Sequence, residues 1–191
     1  MSGADAVVYL VRHGRTSLNA ADQLRGRLDP GLDHEGQREA TRLGQALADV
    51  PMAVVLTSPR RRARQTADPI AASTGVPIHA IDDLDDRDYG QWAGTSRAEI
   101  VDRFGSVDAA PGVETTASVR ERTLAVLHTA VTTWAPRPFV IVAHDAVNRE
   151  LLAALVPQLG RPETIDQHTG CWNRLERHDG TWSAPQLDVA P

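Results

Sequence analysis

Val7-Val8-Tyr9-Leu10-Val11-Arg12-His13-Gly14 decides how this chain is read. Its apolar run suits a buried strand, and it breaks off at a cation, an imidazole and a conformationally permissive glycine. A second run, Phe139-Val140-Ile141-Val142-Ala143, stops in the same manner at His144 and Asp145. Two candidate core strands thus deliver a histidine at their C-terminal ends, where open parallel α/β sheets bind ligands.

The segments between these runs alternate helix and strand. Residues 15–33 are rich in Gly, Asp and Arg and read as a loop over the first strand end. Asp33 can cap a helix over 34–48 whose buried stripe would be Ala40, Leu43 and Leu47 with Ala46. Residues 54–57 form the next strand. Ser58 then reads as an N-cap with Pro59 at the first helical position, and Pro69 should kink or shorten the helix that follows. A short strand over 76–81, an acidic loop from Asp82 to Gly90 and a small helix over 95–104 come next. A helix over 118–134 precedes the second run, and a helix over 146–156 follows it. A late strand over 171–177 leads through Asp179-Gly180, which has hairpin chemistry, to Trp182. This order predicts a single α/β domain over 1–191, a three-layer α/β/α sandwich with a mainly parallel central sheet.

A chain of 191 residues can bury roughly 70% of its unfolded surface in one domain, so no staple is needed. One cysteine, Cys171, excludes an internal disulfide framework. The start Met1-Ser-Gly-Ala-Asp5 lacks a signal-like apolar region and no run reaches membrane-spanning length, so a soluble cytoplasmic protein with no membrane partner is expected. A net charge of -5 argues against nucleic acid as partner. All 20 basic residues are arginine, which rules out lysine Schiff bases and a Walker A lysine. An anion site here must use arginine forks, histidine and backbone N–H groups.

Arg12-His13-Gly14 gains meaning from its company. Thr16 and Asn19 follow it, Ser58-Pro59-Arg60-Arg61-Arg62-Ala63 opens a helix, and His144 ends another strand. This combination resembles the histidine phosphatase superfamily, also called phosphoglycerate mutase-like, over nearly the whole chain. The resemblance implies His13 as a nucleophile that becomes phosphohistidine, Arg12, Arg62 and His144 around the transferred phosphoryl group, and Asn19 beside them. Leu84-Asp85-Asp86-Arg87-Asp88-Tyr89-Gly90 matches the segment that carries the family's proton donor, and Asp86 takes that place. Neither metal nor cofactor is implied, because two guanidiniums and an imidazole can stabilise the charge of phosphoryl transfer.

Three departures from the family pattern stand out. Asp86 replaces a glutamate and is shorter by roughly 1.5 Å. Asp145 stands where a glycine often follows the second histidine, so its carboxylate must point away or be paired, Arg149 being one turn on. Val113 replaces a glycine before Glu114. Five aspartates between 82 and 88 also allow a solvated acidic turn or a cation site, and Arg60, Arg61 and Arg64 read as solvated. Cys171 and Arg177 have the Cys-x5-Arg spacing of cysteine phosphatases, but the residues between alternate like a strand and include no glycine.

The expected function is metal-independent hydrolysis of a small phosphate ester. The alternatives are mutase-type phosphotransfer, or a phospholigand-binding or regulatory domain in which Asp86 falls short. Loops 20–32, 82–115 and 160–170 should choose the substrate. Oligomeric state, a homodimer included, stays open.

Overall fold

The computed structural model describes residues 4–191. Six strands form one sheet: β1 (Ala6–Arg12), β2 (Val55–Thr57), β3 (Ile78–Ala80), β4 (Phe139–Ala143), β5 (Trp172–His178) and β6 (Thr181–Val189), in the order β3-β2-β4-β1-β5-β6. The first four in that order run parallel, while β5 pairs antiparallel with β1 and β6 antiparallel with β5. The sheet is therefore mixed, with a parallel core.

The helices are α1 (Ser17–Ala20), α2 (His34–Ala46), α3 (Arg61–Thr74), α4 (Arg97–Phe104), α5 (Thr116–Trp134) and α6 (Asp145–Leu155). Strand side chains alternate between faces. Val8, Leu10, Phe139, Ile141 and Ala143 pack on one side with Val119, Leu127, Ala130 and Val131 of α5 and Val147, Leu151 and Leu152 of α6. Tyr9, Val11, Val140 and Val142 face the other side, against Leu43 of α2 and Ala63, Ala67 and Ile70 of α3. Both apolar runs are hydrophobic throughout because both of their faces are covered.

The topology makes the crevice. β1 leads to α2 on one face, whereas its neighbour β4 leads to α6 on the other. Adjacent strands whose helices leave in opposite directions open a gap at their C-terminal ends. The register, Val11 opposite Val142 and Arg12 opposite Ala143, sets His13 and His144 side by side at that gap.

Three local expectations change. Ala46 is exposed and Gly44 takes its place in the buried stripe, since 40, 43, 44 and 47 follow the helical period and 46 does not. Pro69 does not shorten α3, which runs on to Thr74 and ends at Gly75 with φ +71°. The two helices touch at this point: a Cβ on Gly44 would stand 2.7 Å from the Pro69 carbonyl oxygen. Arg60, not Ser58, is the N-cap of α3, so Ser58 is left free for another task.

Gly14 and Gly36 let the loop after β1 pass under the start of α2. A Cβ on Gly36 would lie 2.1 Å from the Arg15 carbonyl oxygen, and one on Gly14 would lie 2.6 Å from that of Gly36. Because the obstacles are backbone atoms, they cannot rotate aside. Gly36→Ala should cost about 1–3 kcal/mol by overpacking and displace the His13–Gly14 turn, which denaturant unfolding together with activity would register. An unchanged midpoint would refute the close-approach argument.

Candidate active site

The ladder continues past the strand ends and fixes the backbone of the site. His13 N donates to the Ala143 carbonyl at 3.0 Å, and Ser58 N to that of Val142 at 3.0 Å. The His13 and His144 rings, both fully buried, lie with centroids 5.1 Å apart. His13 Nδ1 is 2.7 Å from the Gly14 carbonyl oxygen. A carbonyl can only accept, so Nδ1 carries the proton and Nε2 keeps a lone pair. Burial first, then the charge of Arg62 and the neighbouring His144 and Arg12, holds the His13 pKa well below 6.5. The imidazole is neutral at pH 7 and can act as a nucleophile.

His144 begins α6 as its N-cap residue. Its Nε2 meets the Ser58 hydroxyl at 2.8 Å, and that oxygen accepts the Arg60 N–H at 3.2 Å. With the hydroxyl proton given to Nε2, Nδ1 is the donor nitrogen. Thr66 repeats the device one turn along α3, where its Oγ1 accepts the Gly14 N–H at 3.0 Å.

Arg62 is buried completely in the first turn of α3. Its Nη1 donates to the Leu28 carbonyl at 2.8 Å, and Nη2 donates to the Gly26 carbonyl and to Asp86 Oδ2, both at 2.9 Å. The guanidinium thus pins loop 26–28 while its Nε remains over. Arg12 donates from Nη1 to Asp145 Oδ1 at 3.3 Å and to the Gln167 carbonyl, again leaving Nε. Among the described residues, Arg12 Nε, Arg62 Nε, His144 Nδ1 and His13 Nε2 are buried without a hydrogen-bond partner. Leaving such groups unpaired costs about 1–3 kcal/mol each. Three donors and one lone pair are what a phosphoryl group needs, the donors for its oxygens and the lone pair for phosphorus.

Asp86 is buried beside these groups, with Oδ2 3.7 Å from His144 Nδ1 and Oδ1 accepting the Arg87 N–H at 2.9 Å. Despite its shorter side chain it therefore reaches the cluster. The loop that presents it is braced from α5: Arg122 Nη1 donates to the Asp83 and Asp85 carbonyls at 2.7 and 2.8 Å, and Arg122 Nε pairs with Glu114 at 2.9 Å. Asp82 and Asp83 are solvated, but the expectation of a solvated turn fails for Asp85 and Asp86. The expectation fails for Arg60 too, because it binds Asp85 through two hydrogen bonds at 2.7 and 2.6 Å. Asp145 is paired, as its position demanded, with Arg149 Nε at 2.9 Å as well as with Arg12. Asn19 caps α1 in a reciprocal box with Thr16 and lines the cleft outside the cluster.

That cleft has a volume of about 580 Å³ and is walled by Arg12, Asn19, Arg25, Arg87, Tyr89 and Arg149 among others. Segments 22–25, 87–89, 105–108 and 162–163 contribute to it, within the three loops expected to choose substrate. Sequence reasoning missed Arg25, Arg122, Thr66 and the role of Ser58. The Ser-Pro-x-x-Arg-Ala segment was the available signal for Ser58, whereas Arg122 sits on a helix surface with none. Cys171 lies just before β5, burial pushes its thiol pKa up, and Arg177 is on the strand itself, so no phosphate-cradling loop forms there.

Comparison with known proteins gives the family and the fold. The model of the histidine phosphatase superfamily (branch 1) matches residues 8–189. The chain is 29% identical over 185 residues to the uncharacterized phosphatase PhoE of Bacillus subtilis, covering 95% of this chain and 94% of that protein. It is 29% identical over 189 residues to glucosyl-3-phosphoglycerate phosphatase of Mycolicibacterium vanbaalenii, covering 90% and 84%. The solved structure of a mycobacterial glucosyl-3-phosphoglycerate phosphatase in complex with VO3 superposes with a TM-score of 0.87 at 25% identity, over 96% of this chain and 99% of that one. A crevice that sets two histidines and two arginines at the C-terminal edge of a parallel core has the chemistry to meet an anion. The chain belongs to the histidine phosphatase superfamily, and phosphoric monoester hydrolysis is the activity its relatives support.

The buried histidines make stability depend on pH. Burial, followed by Arg62 and Arg25, also holds the His144 pKa well below 6.5. Between that ordinary value and the lowered ones the unfolded chain binds more protons, so stability is full above pH 6.5 and falls as pH drops below it. The slope should reach up to about 1.4 kcal/mol per pH unit for each imidazole. Thermal unfolding of wild type and of His13→Gln/His144→Gln from pH 7.5 to 5 should show the flatter dependence in the variant. Parallel curves would mean that the imidazoles are not held neutral.

Proposed function

We propose that the chain hydrolyses a small phosphate monoester without metal, through a phosphohistidine on His13. The carrying observation is the His13 tautomer, with Nδ1–H spent on the Gly14 carbonyl and the neutral Nε2 buried without a partner, as are Arg12 Nε, Arg62 Nε and His144 Nδ1. His13 Nε2 attacks phosphorus and the ester P–O bond breaks. Arg12, Arg62 and His144 Nδ1 hold the phosphoryl oxygens, and Asn19 adds its amide at the cleft side. Asp86 delivers a proton to the leaving alkoxide. In the second half the Asp86 carboxylate takes a proton from water, whose oxygen attacks phosphorus. The N–P bond then breaks, releasing phosphate and returning neutral His13.

Support for Asp86 in this role comes from its contact with Arg62 and its 3.7 Å approach to His144 Nδ1, which set it at the edge of the same cluster. We read residues 1–191 as one catalytic unit, and place it in the cytoplasm. No helix among the described residues is long and apolar enough to cross a membrane.

Rapid mixing with p-nitrophenyl phosphate in EDTA should trap an acid-labile phosphoenzyme in wild type and none in His13→Ala. Phosphate binding with no phosphoenzyme and no turnover would instead favour a binding or regulatory domain, and interconversion of phosphoglycerates with little phosphate release a mutase. Asp86→Asn should lower kcat by about 10²- to 10⁴-fold on alkyl phosphates and much less on p-nitrophenyl phosphate, whose phenolate leaves with little protonation. Equal losses on both esters would remove Asp86 as the acid.

A further inference from the structure

Three amide side chains are buried beside the site and have no part in the reaction as drawn: Asn148 of α6, Gln167 of the segment before β5, and Asn173 of β5. Gln167 and Asn173 pair reciprocally. Gln167 Nε2 donates to Asn173 Oδ1 at 2.9 Å, and Asn173 Nδ2 donates to Gln167 Oε1 at 3.0 Å. Asn173 Nδ2 also donates to the Leu10 carbonyl of β1 at 3.0 Å, and its Oδ1 accepts the Asp188 N–H of β6 at 2.9 Å. Asn148 Nδ2 donates to the same Gln167 Oε1 at 3.1 Å, but its own Oδ1 is buried without a partner. Apolar side chains of similar size would fill this space without the desolvation cost of an unmet carbonyl. Packing alone does not call for these amides.

What they hold in place is a backbone carbonyl. Gln167 lies in a segment without regular structure, yet its carbonyl receives Arg12 Nη1. The other acceptor of Nη1 is Asp145 Oδ1 at 3.3 Å, at the start of α6 and one turn before Asn148. The backbone of Arg12 is fixed in β1 and its guanidinium is planar, so the placing of Nη1 sets the direction of Nε, which is buried without a partner. We propose that Gln167 is a positioning residue for Arg12: its side chain, locked by Asn173 and Asn148, keeps its own carbonyl where Arg12 Nη1 docks and so aims Arg12 Nε. This rests on the phosphatase reading, in which Arg12 holds the transferred group. Gln167 does not line the cleft, and its effect passes through Arg12.

The test is a double-mutant cycle. With p-nitrophenyl phosphate, Gln167→Met should lower kcat/KM by about 10- to 100-fold, the scale of a misplaced binding group. In an Arg12→Met background the same change should cost less than about twofold, because the group it positions is gone. Asn148→Leu removes one link of the lock together with the unmet carbonyl. It should lower kcat/KM without lowering the thermal midpoint, and its loss should likewise vanish beside Arg12→Met. A purely structural role predicts kinetic losses that persist in the Arg12→Met background, and that result, or no loss in Gln167→Met, would overturn the proposal. If Gln167→Met does not fold, the Asn148→Leu cycle decides by the same criterion. Absence of turnover in wild type would instead count against the phosphatase reading, and calorimetric affinity for inorganic phosphate across the same cycle then decides on Gln167. Wild type that neither turns over the ester nor binds phosphate would overturn both.

Discussion

A guanidinium with no exposed surface sits where three segments of chain meet. Arg62 enters from the first turn of α3, ties down the carbonyls of Gly26 and Leu28, and receives the carboxylate of Asp86. Burying one charge is costly unless its donors are satisfied and its charge is matched. Here the matching groups come from loops that have little regular structure of their own. The requirement to satisfy Arg62 therefore orders these loops as much as they shelter it, and removing either partner would strand the other. One nitrogen of the fork, Nε, is left over, and it faces the same interior as His13 Nε2 and His144 Nδ1 in the proposed reaction.

Around this pair the fold supplies rigidity. Both histidines follow strands whose two faces are covered, and the backbone ladder runs one residue beyond β1 and β2, at His13 and Ser58. Their positions are thus set by the sheet and not by loop conformation, which suits a reaction that depends on placement. The acid-bearing loop is less regular and is compensated by side chains: Arg122 from α5 and Arg60 from α3 grip its backbone and Asp85. Rigid strands hold the nucleophile, while braced loops hold the proton donor and the cleft wall.

Particular residues show which parts of the site the sequence reveals. Val7 to Gly14 and Phe139 to His144 are legible because a doubly buried strand must be apolar throughout and its functional end cannot be. Arg62 was legible only in company, through the Ser-Pro-x-x-Arg-Ala segment and a family resemblance. Ser58 read as a helix cap because its chemistry fits one, but Arg60 takes the cap and Ser58 turns to His144. Arg60 read as solvated because nothing local pairs with it, and its partner Asp85 lies 25 residues on. Pro69 signalled a break that packing between α2 and α3 overrides.

The sequence by itself determined the alternation of strand and helix, the two histidines at strand ends and the all-arginine supply of positive charge. These follow from local periodicity and from residue chemistry, which act over a few neighbours. Only the tertiary structure decided that Asp86 reaches the cluster and that Asp145 is neutralised by both Arg12 and Arg149. Those outcomes turn on which distant groups share a low-dielectric interior, where pairing or its absence sets the energy of every charge. Pairings across 24 to 133 residues leave no trace in spacing.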